Sequence, residues 1–423
     1  MNGRRKILPS PRSPSFYGWY TVAASWVMLF LLSALGVGIF FKPILEEFGW
    51  DRATLSAVHT AALVLFAIAT PFIGRLIDRF GPKIMLFVCL ATQTASATVN
   101  GLATGIWHIF TGRFLYEIKA LQASQVLINR WFVKKRGRAQ GIAATGMPLG
   151  ALALSPLSQY LILAWGWRET MFFWAGIGLV IMLPLILLIR NNPRDKGVGP
   201  DGEPLDGEKA GGQKVDASPA ENTGISGHTM AQASRNSAFW LISAAQLICG
   251  IGCGFMMTHI VIFATDYGYS EMVGASLVSV QGGLNLLGVL VTGHFSDKYA
   301  RSRVLAFTHI IRSLSFFIGV GFIILGGCPL WMLYLSMVFF GFGWFTTSPL
   351  SSGLVADLFG DLRMGTIIGV TMSCHTVGMA LGAYAGGITF ELTGSYYLFF
   401  IVQGMLEFIA AGLAFAIKRR KKY

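Results

Sequence analysis

The sequence predicts an all-α membrane protein, with twelve transmembrane helices in two pseudo-symmetric six-helix bundles. Three observations predict it: a composition too apolar for a water-facing surface, apolar stretches of spanning length that recur twelve times, and a charged motif that occurs once in each half.

Of 423 residues, 54% are hydrophobic and only 13% charged. Soluble domains carry about 25% charged residues, so a soluble enzyme is excluded. The high apolar content excludes a disordered chain. There are 51 glycines, well above the roughly 7% of soluble proteins, as expected where helices pack closely in lipid. The net charge of +13 does not point to nucleic acid, because the basic residues fall between apolar segments and not on one aromatic-laced face. Five cysteines, Cys89, Cys249, Cys253, Cys328 and Cys374, sit singly in apolar runs. With no CxxC pair and no Cys/His spacing, no metal site, redox motif or disulfide framework is expected. Cys249 and Cys253, at i and i+4, read as packing residues. No cofactor is expected.

A spanning helix needs about 20 mainly apolar residues. The first six spans are expected at 17–40, 53–74, 84–104, 106–129, 139–163 and 170–190, and the last six at 237–263, 272–293, 303–325, 329–352, 364–387 and 396–417. The domains are therefore 1–190, a linker over 191–236 and 237–423. The linker is rich in Gly, Pro and charge and is expected to be solvated. No cleavable signal precedes span 1. Of the 33 Lys and Arg residues, 27 fall in the termini, the linker and the loops on their side, including Arg4, Arg5, Lys6, Arg12 and Lys418 to Lys422. Only Lys42, Arg52 and Arg168 fall on the other side. Positive charge marks the cytoplasmic side, so both termini and the linker are expected inside, in a cell inner (plasma) membrane.

The loop after span 2 reads Gly74-Arg-Leu-Ile-Asp78-Arg79-Phe-Gly81-Pro-Lys83. The loop after span 8 reads Gly293-His-Phe-Ser-Asp297-Lys298-Tyr-Ala-Arg301. An acid followed by a base at matching places predicts a gate on the inner face, with Asp78, Arg79, Asp297 and Lys298 latching the bundles through charge pairs.

On these residues the chain resembles the major facilitator superfamily, whose G-x-x-x-D-R-x-G signature the span-2 loop matches. Gly112-Arg113 resembles the start of a second signature. The run Trp131-Phe132 to Gly150, with Lys134, Lys135, Arg136, Arg138, Gly141 and Gly146, is similar to the span-5 signature of the monocarboxylate-porter branch, which includes oxalate/formate-type exchangers. Tyr17-Gly18-Trp19-Tyr20 resembles its span-1 signature without the usual leading acid. Leu358-Phe-Gly through Gly365, Gly369 and Gly386-Gly387 resembles its span-11 region. The resemblance implies parallel six-helix halves rocking about a midplane site. Read directly, Gly141, Gly146 and Gly150 give one small-residue face for close packing.

Ionisable groups inside spans are costly and are functional candidates by default. Span 4 carries Arg113, Glu117 and Lys119. Arg113 and Glu117, at i and i+4, share a face; they are either a fixed ion pair or a proton-coupling pair. Lys119, about 200° round an unbroken helix from Glu117, is expected to miss that face and meet either an anionic substrate or an acid from another helix. His375, in span 11, occupies a place resembling that of a substrate-binding lysine in oxalate/formate-type relatives. Asn285, in span 8, resembles a polar or acidic position of monocarboxylate porters, and Gln281 shares its face. Tyr116 would shape the pocket, and Trp26, Trp344 and Phe345 are further aromatic candidates. The arginine that many relatives place four residues after the span-8 position is here Val289. The span-1 lysine of animal relatives is replaced near Leu35. Arg312, in the peripheral span 9, is expected to snorkel or meet lipid headgroups, and His259, His309 and Glu407 to be structural.

The expected function is secondary transport of a small organic anion, a carboxylate, by alternating access, coupled to protons or run as an exchange. The alternative is uptake of a larger, less charged vitamin-like or aromatic metabolite, such as a riboflavin-type solute. A receptor or scaffold finds little support in so short a linker. No metal set, Ser/His/Asp set or phosphate loop supports an enzyme. The expected partners are the small solute and the bilayer, with the chain acting as a monomer.

Overall fold

The computed structural model describes residues 17–35, 37–50, 52–119, 121–203, 227–327 and 329–417. Arg4, Arg5, Lys6, Arg12, Cys328, Lys418 to Lys422 and linker residues 204–226 lie outside them. Among the described residues, eleven helices are long and apolar enough to cross a membrane. Helices satisfy their own backbone polar groups, which lipid cannot.

The first lobe runs Gly18–Leu32 with a 3-10 turn Ser33–Leu35, an outer helix Val37–Phe48, then Arg52–Phe80, Pro82–Gly101, a divided fourth crossing, Arg136–Ala144 continued by Gly146–Trp165, and Trp167–Leu188. The second runs Ser237–Asp266, Glu271–Lys298, Arg301–Ile324, Leu330–Gly343 continued by Thr347–Phe359, Met364–Thr393 and Tyr397–Ala416. These are spans 1 to 12. Spans 2 and 3 are joined by one residue, Gly81, at φ +84°. An L side chain is strained there, and Pro82 follows at the first helical position, where its missing N–H costs nothing.

Span 4 differs from expectation. The predicted continuous 106–129 is two helices, Ile106–Glu117 and Leu121–Trp131. No Gly or Pro marks the division. Gln93 of span 3 stabilises it, donating to the carbonyls of Tyr116 at 2.9 Å and Ile118 at 3.3 Å. A carbonyl freed by a helix break must find such a donor at membrane depth.

The linker's two ends are folded. Asp201 accepts hydrogen bonds from the backbone N–H of Val133, Lys134 and Lys135. Asn191 accepts from Lys83 N–H at 2.8 Å. On the other lobe, His228 N–H donates to Phe359 O at 2.8 Å. Each linker end thus clamps a loop of its own lobe.

At the end of the molecule that carries the linker, buried apolar side chains form one cluster drawn from both lobes, including Ile77, Val126, Phe132, Leu305, Leu354 and Ile367. Toward the opposite end they separate into one cluster in the second lobe, around Phe255, Phe263 and Phe400, and one in the first, around Phe40, Trp167 and Trp174. The lobes are welded at the linker face and packed independently away from it. Spans 2 and 11 meet by backbone. A Cβ at Gly74 would lie 2.2 Å from Gly365 O, and one at Gly369 would lie 2.7 Å from Thr70 O. The span-5 glycines do pack closely, but against two neighbours: Gly141 on Val289 O of span 8, and Gly146 and Gly150 on Trp26 O and Phe30 O of span 1. At about 100° per residue the five-residue step puts Gly141 about 140° round the helix from Gly146, so the three do not present one face.

Candidate functional site

The linker-face latch is built from the repeated acids. Asp78 Oδ1 accepts from Gly365 N–H at 2.7 Å, and Oδ2 accepts from Thr366 N–H at 2.8 Å and Thr366 Oγ1–H at 2.6 Å. These donors open span 11. Asp297 Oδ1 accepts from Gly137 N–H at 2.6 Å, and Oδ2 from Arg138 N–H at 2.9 Å, at the opening of span 5. Each lobe's acid therefore caps a helix of the other lobe, where orphan N–H groups and the positive dipole end favour a carboxylate. This corrects the expected charge pairs. Arg79 is exposed and lies over Phe80, and Lys298 is exposed.

The ion pairs at this face join motif residues Asp297 and Arg301 to Arg136 and Asp357. Arg136 of the first lobe binds Asp357 of the second at 2.5 Å. Arg301 also binds Asp357, and reaches Asp297 at 3.5 Å. Asp361, in the loop between spans 10 and 11, has its pKa raised by burial, with Arg136 and Arg130 pulling it back down. Above them runs a polar seam between spans 4 and 10. Gln125 donates to Ser348 Oγ at 2.8 Å, and Asn129 to Ser352 Oγ at 2.9 Å. The signal for this seam was present as i, i+4 polar pairs in both spans. Between spans 2 and 11, Ser373 donates to Ala67 O at 2.5 Å.

The second element is the first lobe's buried charge. Glu117 Oε1 binds Arg113, and Oε2 binds Lys119 at 2.9 Å. The expectation that Lys119 misses the Glu117 face is overturned by the break in span 4. With Ile118 at φ −71°, ψ 75° the helix has ended, and a tight turn closes from Lys119 N–H to Glu117 O at 2.7 Å. One carboxylate thus joins two cations. Tyr116 lies under both, its ring centroid 4.6 Å from the Arg113 guanidinium and 5.0 Å from Lys119 Nζ. Its hydroxyl donates to Leu32 O of span 1 at 3.2 Å. The side chain of Glu117 is 2% exposed, that of Arg113 12% and that of Lys119 24%. The acid is sealed, and Lys119 is the least enclosed of the three. A nearby cleft, lined by Met28, Leu32, Gln93 and Trp174 among others, holds no charged residue.

The second-lobe candidates sit elsewhere. Asn285 is buried and donates to Gly341 O at 3.2 Å. Gln281 is buried beside the same glycine. Val289 is buried against Gly141. None of these touches the span-4 cluster. His375 is half-buried and faces Cys249 and Cys253, its ring nitrogen and the two sulfurs lying within 4.8 Å of one another. Cys249 and Cys253, read from the sequence as packing residues, thus stand beside a third ligand type brought from another span. Among the aromatic candidates, Trp26 donates to Thr145 at 3.0 Å.

Arg312 neither snorkels nor meets headgroups. It is 0% exposed and donates to Glu407 Oε1 and Cys249 O, each at 2.9 Å. His309 shares Glu407 through its other oxygen at 2.7 Å, and Phe340 packs 4.8 Å from the guanidinium. The superfamily resemblance implies peripheral places for spans 9 and 12, but the faces carrying these residues point into the lobe.

Twelve crossings in two lobes, latched by a repeated acid, match a known family model. The Major Facilitator Superfamily model fits residues 21–383. The chain belongs to this superfamily. It is accordingly a multi-pass membrane transporter and not an enzyme. It is 23% identical to monocarboxylate transporter 4 of Gallus gallus, covering 96% of this chain and 84% of the relative. It is 23% identical to monocarboxylate transporter 2 of Mus musculus, at 95% and 84% coverage. The MFS-type transporter YcxA of Bacillus subtilis (strain 168) is also 23% identical, at 88% and 90%. In fold it is similar to the proton:xylose symporter XylE, with a TM-score of 0.70, 14% identity and coverage of 95% and 96%. It is similar too to the transporter FucP in its outward conformation, at 0.68, 13%, 95% and 99%.

Proposed function

We propose that this superfamily member carries a small organic carboxylate, coupled to a proton, with the span-4 cluster as the anion and proton site. The observation that carries the reading is the placement of Lys119, the more exposed of two cations on one buried carboxylate. A carboxylate solute approaching Lys119 competes with Glu117 for the same ammonium. Once Lys119 turns to the solute, Glu117 keeps one cation where it had two, and a proton becomes the natural replacement charge. Solute and proton binding are then linked through a single group. The relatives named as monocarboxylate transporters support the substrate class. Tyr116 holds the cations in register.

On this reading the linker face is cytoplasmic, in agreement with its excess of positive charge. The molecule is sealed inside by the Asp78 and Asp297 caps and opens outward. Transport in proteoliposomes tests it. Lys119→Ala should reduce uptake of labelled lactate or a related monocarboxylate at least tenfold, and a protonophore should abolish accumulation by the unmodified protein. Unchanged uptake in the variant removes Lys119 from the site. The alternative solute, larger and less charged, is favoured by one fact: Val289 stands where many relatives have an arginine. It would show itself as a vitamin-type or aromatic compound whose uptake survives Lys119→Ala.

A further inference from the structure

Spans 7 and 11 touch backbone to backbone around Cys249, Cys253 and His375. A Cβ at Gly250 would lie 2.0 Å from His375 O, and one at Gly378 would lie 2.2 Å from Leu247 O. The helices cannot be pushed further together there, and their packing fixes where the side chains between them meet. Cys249 and Cys253, one turn apart, present both sulfurs on one face of span 7. His375 brings its imidazole from span 11, so that the three donor atoms lie within 4.8 Å of one another. The cysteines are 0% and 1% exposed, while His375 is half-buried and leaves a way in. The Thr347 hydroxyl is 3.2 Å from Cys249 Sγ. Arg312 Nη1 is 3.5 Å from Cys253 Sγ.

Two sulfurs and an imidazole, screened from water, are soft donors that select thiophilic ions over Mg²⁺ or Ca²⁺. With metal–sulfur bonds of about 2.3 Å and metal–nitrogen bonds of about 2.0 Å, three ligands round one ion stand roughly 3.5–4.5 Å apart. Small side-chain adjustments bring the three atoms to that spacing. The thiolate is the ligating form, and Arg312 is positioned as its counter-charge. We propose that Cys249, Cys253 and His375 bind one soft d10 metal ion, Cu(I) or Zn(II), which pins span 7 to span 11. Three protein ligands complete a trigonal Cu(I) site, whereas Zn(II) would add a water as the fourth. Span 11 is the helix that Asp78 caps and that packs across the lobes on span 2, with Ser373 bonded to Ala67. An ion two residues from Ser373 stiffens the helix that must slide for the lobes to rock, so occupancy should slow transport. This inference uses neither Lys119 nor Glu117 and stands apart from the substrate reading.

The test uses purified full-length protein, stripped of metal and titrated without oxygen. Cu(I) and Zn(II) are added separately in competition with chromophoric chelators. One equivalent should bind. Cys249→Ser/Cys253→Ser and His375→Ala should weaken binding at least 10- to 100-fold, while Cys89→Ser/Cys374→Ser leaves it unchanged. The tighter of the two ions identifies the occupant. No stoichiometric binding of either ion, or binding retained by the double cysteine variant, overturns the proposal. Because serine at these closed positions risks misfolding, Cd(II) added to the unmodified protein gives an independent reading. A sulfur-to-metal charge-transfer band with the intensity of two thiolates is expected, and its absence overturns the site without any variant.

Discussion

Each lobe buries a carboxylate between two basic groups, and the two arrangements differ in how they are closed. In the second lobe, Glu407 bridges Arg312 and His309, with all three side chains at 0% exposure. Gln403 adds a hydrogen bond to Glu407 at 3.3 Å. A Cβ at Gly343 would lie 2.5 Å from Arg312 Cγ. Every side of that cluster is filled. In the first lobe, Glu117 is equally buried, but Lys119 hangs from a broken helix with a quarter of its side chain exposed. A cluster enclosed on all sides is suited to holding helices together. One whose cation is less enclosed is the better candidate for exchanging a partner. On the proposed function, Glu407 and Arg312 hold the fold while Glu117 and Lys119 exchange partners.

That contrast can be broken first by stability. Removing one partner of a buried pair strands the other, at a cost of roughly 3–5 kcal/mol. Glu407→Ala should therefore strongly depress the unfolding temperature of purified protein. Glu117→Gln, which keeps its shape beside a less enclosed lysine, should shift it far less. Equal destabilisation would erase the distinction.

The latch is symmetric, and so should be its response. Asp78→Asn and Asp297→Asn each remove a charge-assisted capping set, worth about 1.5–3 kcal/mol per bond to a charged group at most. Both should raise the reactivity of a cysteine introduced at Ser352 toward a membrane-impermeant thiol reagent applied from the linker face, and by similar factors. A change in only one variant would show that the two caps are unequal.

The smallest effect belongs to the far side. Glu47 pairs with Arg168 at 2.5 Å, and that hydrogen bond holds the Glu47 pKa below the ordinary carboxylate range. A depressed pKa means stability that is present above the ordinary value and lost as pH falls through the lowered one. Both side chains are partly exposed, so the contribution stays below about 1 kcal/mol. Glu47→Gln should flatten the acid limb of stability against pH only slightly.

Much of this was legible in the sequence. Eleven of the twelve expected spans hold as crossings of adequate length, and the repeat marked two acids that each contact the other lobe. The Arg113–Glu117 pair followed from i, i+4 spacing. What was hidden depended on neighbours distant in the chain. The Glu117-Ile-Lys-Ala segment has no helix breaker, and the break rests on Gln93 from span 3. Pairing geometry computed on an unbroken helix therefore misplaced Lys119. The motif suggested that Asp78 and Asp297 pair with basic side chains across the lobes, yet what each meets in the other lobe includes two backbone N–H groups, which no residue type announces. Arg312 and Glu407 lie 95 residues apart, and the Cys249–His375 approach depends on which faces of spans 7 and 11 meet.

The central claim is that Glu117 exchanges a proton as Lys119 exchanges its partner. Glu117→Gln in proteoliposomes, assayed for solute counterflow and for proton-driven accumulation, tests it most directly. The account predicts that counterflow persists while accumulation against a gradient is lost. Accumulation equal to that of the unmodified protein would contradict it.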